Sequence, residues 1–160
     1  MWQDFIQALK ELSDAYAALL AISRKKRAAL VAVDLKGLEP LIKDEGEQLE
    51  RIRAAEKRRR DALFSLSGMT PSFREDATMA EVETACPPKL RGELKKANAS
   101  LSRLVEEIRE ASDANAFLIH HALGAVEYHL NRIGNSSVDP TYGGKGEESV
   151  TRERKFDFRA

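Results

Sequence analysis

The stretch "LKKANASLSRLVEEIREASDANAFLIHHAL", residues 94–123, decides the fold of this chain. Its apolar and small residues recur at alternating spacings of three and four, which is the heptad spacing of a helix that packs along other helices. With its flanks, the row comprises Leu90, Leu94, Ala97, Leu101, Leu104, Ile108, Ala111, Asn115, Leu118, Ala122 and Ala125. The spacing predicts one helix from about Pro88 to Ile133, roughly 65 Å long. A helix of this length needs partner helices for stability.

Those partners lie upstream in the sequence. Apolar residues at three- and four-residue steps predict an amphipathic helix from about Trp2 to Val33. "DLKGLEP", residues 34–40, interrupts the pattern, and a second helix is predicted from about Leu38 to Ser67. Whether these two helices are separate or one kinked rod stays open. A short helix is predicted over residues 79–85, between a loop that contains Pro71 and the "CPPKL" stretch.

These elements predict an all-α fold, an elongated antiparallel helical bundle or coiled coil of three main helices. The bundle domain covers residues 1–134. From residue 135 to 160 the chain is rich in glycine and has no helical periodicity, so we expect a flexible C-terminal tail.

The composition limits the classes of partner. Lys+Arg and Asp+Glu each number 26, so the formal net charge is zero, which argues against nonspecific binding to nucleic acid or anionic membranes. No apolar run approaches 18 residues, so no membrane insertion is expected. The single cysteine, Cys86, excludes an internal disulfide and a cysteine-based zinc site. These features fit a reducing cytoplasm.

The residue types that carry catalysis or metal binding do not form a recognisable motif. His120 and His121 are adjacent and point about 100° apart on a helix, and no histidine pair has the spacing of a helical zinc motif. "GGKG", residues 143–146, lacks the strand and helix that flank a phosphate loop. We therefore expect no enzyme activity, no metal and no cofactor. An enzyme or metal protein on a helical bundle is the alternative that elemental analysis tests.

The end of the long helix carries more apolar residues than one packed row requires. In "NAFLIHHALGAVEYHLNRIG", residues 115–134, they extend well around the helix. Two interpretations stay open: other helices of the chain cover them, or a partner helix docks against them.

The pattern of the whole chain resembles the FlgN-type flagellar export chaperones. The resemblance includes "ALVAVDLKGLEPLI" at the first helix boundary, "EKRRRDALFSL" at the end of the second helix, and "CPPKL" leading into the long helix with Asn115 followed by Leu118. It also includes "TYGGKG" and the terminal "KFDFRA".

The resemblance implies a cytoplasmic, non-enzymatic chaperone. Such a protein binds the C-terminal helical ends of the hook–filament junction proteins, prevents their premature association and brings them to the flagellar export gate. The client-binding residues that the resemblance implies are Leu118, Ile119, Ala122, Leu123 and Val126. It implies that Tyr142 docks to the export gate.

A second hypothesis is a structural coiled-coil adaptor or homodimerising scaffold with no export role. In that case the apolar end of the long helix would be a self-interface. The sequence leaves the oligomeric state and the identity of the client open.

Overall fold

The structure is a computed structural model that describes residues 1–71 and 73–136, with side chains described as far as residue 134. This part of the chain contains helices and no strand: α1 (Trp2–Val31), α2 (Leu35–Met69), α3 (Met79–Ala85) and α4 (Pro88–Ser136). The predicted all-α class is confirmed. Met1–Gly124 forms one compact unit, and the described part of the second unit is the end of α4 from Ala125 onward.

Helices α1 and α2 form an antiparallel hairpin, so they are separate helices. The Lys26 ammonium lies 2.7 Å from the Glu45 carboxylate, near the turn between the helices. Farther from the turn, the Arg58 guanidinium lies 2.8 Å from Glu11. Residue numbers therefore rise along α2 as they fall along α1, which is the antiparallel direction.

The α1–α2 turn has a hydrogen-bonding pattern that ends a helix. The Asp34 N–H donates to the Ala29 carbonyl at 2.9 Å and the Val33 N–H to the Leu30 carbonyl at 3.2 Å. Val33 itself has φ of 54°, which is the left-handed conformation that this kind of helix ending requires. Glycine usually occupies such a position. Helix α1 therefore stops at Val31, two residues before its predicted end.

Helix α2 begins earlier than its predicted start at Leu38. The Asp34 carboxylate accepts a hydrogen bond from the Gly37 N–H at 2.9 Å and caps the new helix. A Cβ atom on Gly37 would lie 2.3 Å from Asp34 Oδ2, so glycine leaves room for this cap. Pro40 consequently lies inside α2, where it lacks the N–H for one hydrogen bond of the first turns.

Helix α4 runs parallel to α1. Lys10 pairs with Glu93, and Arg24 lies 3.2 Å from Glu107, so residue numbers rise together along both helices. Since α2 is antiparallel to α1, it is antiparallel to α4 as well, and successive long helices alternate in direction.

The core of Met1–Gly124 consists of two clusters of buried side chains. One joins all three long helices with α3 and its flanking loops: Phe5, Ile6, Leu9, Leu63, Leu66, Phe73, Val82, Cys86, Leu94 and Ala97. The other continues along α1 and α2: Leu12, Ala15, Leu19, Ile52 and Ala55, with Leu101 and Ile108 of α4 packed against it. Helices α1 and α4 supply most of these residues.

Helix α3 is short and is held at both ends by hydrogen bonds. At its start, the Thr78 side chain and the Glu81 carboxylate form a capping box. The Glu81 carboxylate accepts from the Thr78 N–H and hydroxyl, which lowers the pKa of that carboxyl. At its end, the Arg91 guanidinium donates to the carbonyls of Thr84 and Cys86 at 3.1 and 3.0 Å.

We expect Arg91→Met to lower the free energy of unfolding by about 1–3 kcal/mol. The substitution keeps much of the aliphatic stem but removes the charged donor that serves two helix-end carbonyls. Urea unfolding followed by circular dichroism measures the change. Arg103→Met is the control, since Arg103 is exposed and pairs only loosely with Glu107 at 3.6 Å. Its effect should stay within about 0.5 kcal/mol; equal losses for the two variants would contradict the capping role.

Candidate functional site

The burial of α4 against the other helices ends at Leu118. Leu94, Ala97, Leu104 and Asn115 are buried and Leu118 is half-buried, whereas every side chain from residue 119 to 134 is exposed. Packing of the chain's own helices therefore covers the predicted row only as far as Leu118.

This change occurs beside the last two turns of α1. Asn115 Nδ2 donates to the Ser23 carbonyl at 2.9 Å, which places these two residues of the parallel helices side by side. Helix α1 ends at Val31, about two turns farther on, whereas α4 continues to Ser136. Residues 119–123 of α4 therefore lie level with the last two turns of α1, where α1 also has no buried residue after Ser23.

Four residues of the predicted client-binding set belong to the Met1–Gly124 unit. Ile119 is 40% exposed and Leu123 is 61% exposed, and their spacing of four residues puts them on one face of α4. Ala122 between them is exposed, and Leu118 is half-buried. The structure therefore leaves a small uncovered apolar face here, made chiefly of Ile119 and Leu123.

The fifth predicted residue, Val126, lies in the second unit. It is exposed, and so are Leu130 and Ile133 at the following spacings of four and three. These spacings place the three side chains on one face of this part of α4.

The aromatic and histidine side chains of this region lie outside those two apolar rows. The Phe117 ring packs against the His121 ring at a centroid distance of 4.2 Å, and the Tyr128 ring contacts His129 at 5.6 Å. Within residues 1–71 and 73–136, no group of three or more His, Cys, Asp or Glu side chains is arranged to hold a metal ion. The predicted docking residue Tyr142 lies outside the described residues.

The expectation that Ala122 and Ala125 continue the packed row of α4 is wrong. Both are exposed. For Ala122 the reason is that the buried core between α1 and α4 ends at the level of Ser23 and Asn115, about two turns earlier. Leu49 of α2 is also exposed.

A second exposed apolar row, on α2, was not predicted from the sequence. Leu35, Ile42 and Leu49 are all exposed, at a spacing of seven residues. The seven-residue spacing of these residues is visible in the sequence. Leu35 lies before the predicted start of the helix, however, so the three residues were not assigned to one helical row.

Cys86 is buried in the core, and burial raises the pKa of its thiol. A raised pKa keeps the thiol protonated and unreactive near neutral pH. In the described part of the chain, no helix is long and apolar enough to cross a membrane.

A bundle of three long helices whose last helix presents an uncovered apolar face is typical of proteins that bind helical partners. The family model described as FlgN protein matches residues 1–149, so the chain belongs to the FlgN family. This is a family of flagellar export chaperones and not of enzymes, and its members bind flagellar hook-associated proteins. No curated protein and no solved structure matches the chain.

Proposed function

We propose that this chain is a cytoplasmic chaperone for hook–filament junction proteins. It binds their C-terminal helical ends, prevents their premature association and delivers them to the flagellar export apparatus. The observation that carries the proposal is the uncovered apolar face of α4 at Ile119 and Leu123. Within Met1–Gly124, these two are the exposed large apolar residues of the implied client-binding set.

The geometry of this face suits an amphipathic helix. Helix-in-groove recognition uses apolar anchors spaced three or four residues apart on the binding helix, and Ile119 and Leu123 have that spacing. The C-terminal helical end of a client would present its own apolar side to these anchors. The same contact would hide the apolar surface through which the client otherwise associates.

The number of anchors indicates a releasable complex. Complete burial of one such side chain is worth about 1.5–3 kcal/mol. Association itself costs an estimated 4–15 kcal/mol, so Ile119 and Leu123 alone bind weakly at best. Val126 in the second unit is a further exposed anchor of the implied set. A few anchors, each contributing modestly, fit a chaperone that must release its client for export.

Delivery to the export gate is the part of the proposal that the family resemblance alone supports. The resemblance implies that Tyr142 docks there, in a segment that follows the described part of α4. Tyr142 stays a prediction.

Titration calorimetry of the full chain with the C-terminal segment of a hook–filament junction protein from the same organism tests the proposal. We expect a one-to-one complex whose enthalpy becomes more negative as temperature rises, because burial of apolar surface gives a negative heat-capacity change. With the chain at about 100 μM, a complex whose dissociation constant is of the same size would still be detected. Absence of binding under these conditions would contradict the proposal.

The homodimerising scaffold is the second candidate. It is favoured by the spacings of four and three in the exposed rows of α4, since such spacings also allow two copies to pair as a coiled coil. Light scattering of the free protein separates the candidates. A stable dimer that Leu123→Asp dissociates would favour the scaffold, whereas a monomer that binds the client segment would favour the chaperone.

A further inference from the structure

The three long helices of the Met1–Gly124 unit form three outer grooves, and ion pairs bridge two of them. The Arg58–Glu11 pair crosses the α1–α2 groove at 2.8 Å, and the more buried Lys26–Glu45 pair joins the same two helices at 2.7 Å. The α1–α4 groove is crossed by the Lys10–Glu93 pair and by the Arg24–Glu107 pair at 3.2 Å. Charged side chains therefore occupy the edges of both grooves that involve α1.

The third groove, between α2 and α4, has a different character. Among residues 1–71 and 73–124, no ion pair joins α2 to α4. Exposed large apolar side chains lie along both helices instead: Leu35, Ile42 and Leu49 on α2, and Val105, Ile119 and Leu123 on α4.

Helical geometry places these apolar rows on the edges that face the α2–α4 groove. On α2, Arg58 reaches α1 from one edge of the buried face, and Ile42 lies about 160° around the helix from Arg58, on the other edge. On α4, Glu107 reaches α1, and Val105 and Leu123 lie about 160° around the helix from Glu107. Each helix thus turns its charged edge to α1 and its apolar edge away from α1.

The two apolar rows also lie at the same height in the bundle. Lys26 of α1 pairs with Glu45 of α2, and its near neighbour Arg24 pairs with Glu107 of α4. Glu45 and Glu107 are therefore at similar heights, so residues 35–47 run beside residues 105–117 in the opposite direction, and Ile119 and Leu123 follow about 3 and 9 Å beyond the level of Leu35. Together they form the two walls of one apolar groove.

The chemistry of the walls indicates the occupant. The seven-residue spacing of Leu35, Ile42 and Leu49 matches a helix with heptad spacing. The rim carries balanced charge, with Glu39 and Lys43 exposed on α2 and Arg109 and Asp113 exposed on α4. A balanced rim favours a partner recognised by its apolar row and not by net charge.

We propose that the α2–α4 groove receives the C-terminal helix of the client as a fourth helix, with α2 contributing Ile42 and its heptad neighbours as the second wall. This inference rests on the proposed function, and it extends the client site from α4 to α2. It accounts for large apolar side chains left exposed on two neighbouring helices at one end of the unit.

Fluorescence anisotropy with a labelled C-terminal segment of the junction protein tests the inference on the full chain. We expect Ile42→Asp to weaken binding by about 30-fold, the effect of losing a central apolar anchor. Ile42 is 57% exposed, so the variant should fold, which thermal unfolding by circular dichroism checks. Ala54→Asp is the matched control, because Ala54 is exposed on α2 and lines the α1–α2 groove; its affinity should change less than about threefold.

Photo-crosslinking from a benzoylphenylalanine at position 42 gives a second readout, and we expect capture of the labelled segment. The inference is overturned, with the proposed function intact, if Leu123→Asp abolishes binding while Ile42→Asp binds normally and captures nothing from position 42. It is equally overturned if Ile42→Asp dissociates a dimer of this chain, which would make a second copy the occupant. If the wild-type chain does not bind the segment, the proposed function and this inference fail together.

Discussion

Phe5→Ala is expected to lower the free energy of unfolding by about 3–5 kcal/mol. The Phe5 ring is 0% exposed and belongs to the core cluster that joins all three long helices with α3. Truncation removes the apolar contacts of the ring and leaves a cavity that neighbours on several helices can close only in part. Urea unfolding of the full chain, followed by far-ultraviolet circular dichroism, measures the shift in midpoint at an unchanged slope.

Phe64→Ala is the matched control for this prediction. Phe64 is 64% exposed on α2, one residue after the buried Leu63, so the same atoms are removed from a site that solvent already reaches. We expect a change within about 0.5 kcal/mol. Similar losses for the two variants would mean that the core is not centred on Phe5.

Periodic apolar spacing made the long helices predictable. Many buried residues of α1 and α4, such as Leu9, Leu12, Leu94 and Leu104, belong to a three-and-four row visible in the sequence. The same reasoning could not find Phe73 or Cys86, which are buried although they lie in the loops that flank α3. Isolated apolar residues outside a helix have no period, so only the fold shows that they complete the core.

The α1–α2 boundary shows why helix ends are harder to predict than helices. Valine is a poor residue for the left-handed conformation, yet Val33 adopts it at the end of α1. The local preferences of glycine and proline predict a break at Gly37 and Pro40, whereas both residues lie within α2. The local preferences of these residues are outweighed by the packing of the hairpin and by the Asp34 cap.

The candidate site was predictable in its residue types and only partly in its extent. The surplus of apolar residues after Asn115 indicated a surface with a second use, and Ile119, Leu123 and Val126 are exposed. Which of the surplus residues before Ala125 stay uncovered depends on how α1 and α4 pack side by side, and this register is a tertiary property.

Leu123→Asp is expected to weaken binding of the client's C-terminal segment by about 100-fold or more while leaving the fold unchanged. Leu123 is 61% exposed, so a charge there stays in solvent in the free protein and costs the fold little. In the complex the same carboxylate would be buried against the client's apolar row, and a buried unpaired charge is strongly unfavourable. The penalty therefore falls on the complex alone, and anisotropy titration of the full chain measures it.

Gly124→Asp separates this effect from the general effect of a new negative charge. It places the same carboxylate one residue later, about 100° around the helix, where a Cβ atom meets nothing within 4 Å. Removing a helical glycine should also make the variant no less stable than the wild type. Affinity near the wild-type value for Gly124→Asp, together with the loss for Leu123→Asp, would locate the client on the Ile119–Leu123 face. Equal losses of affinity for the two variants would instead indicate repulsion between the new carboxylate and charges on the client. Long-range repulsion does not depend on which side of the helix carries the carboxylate, whereas an apolar contact does.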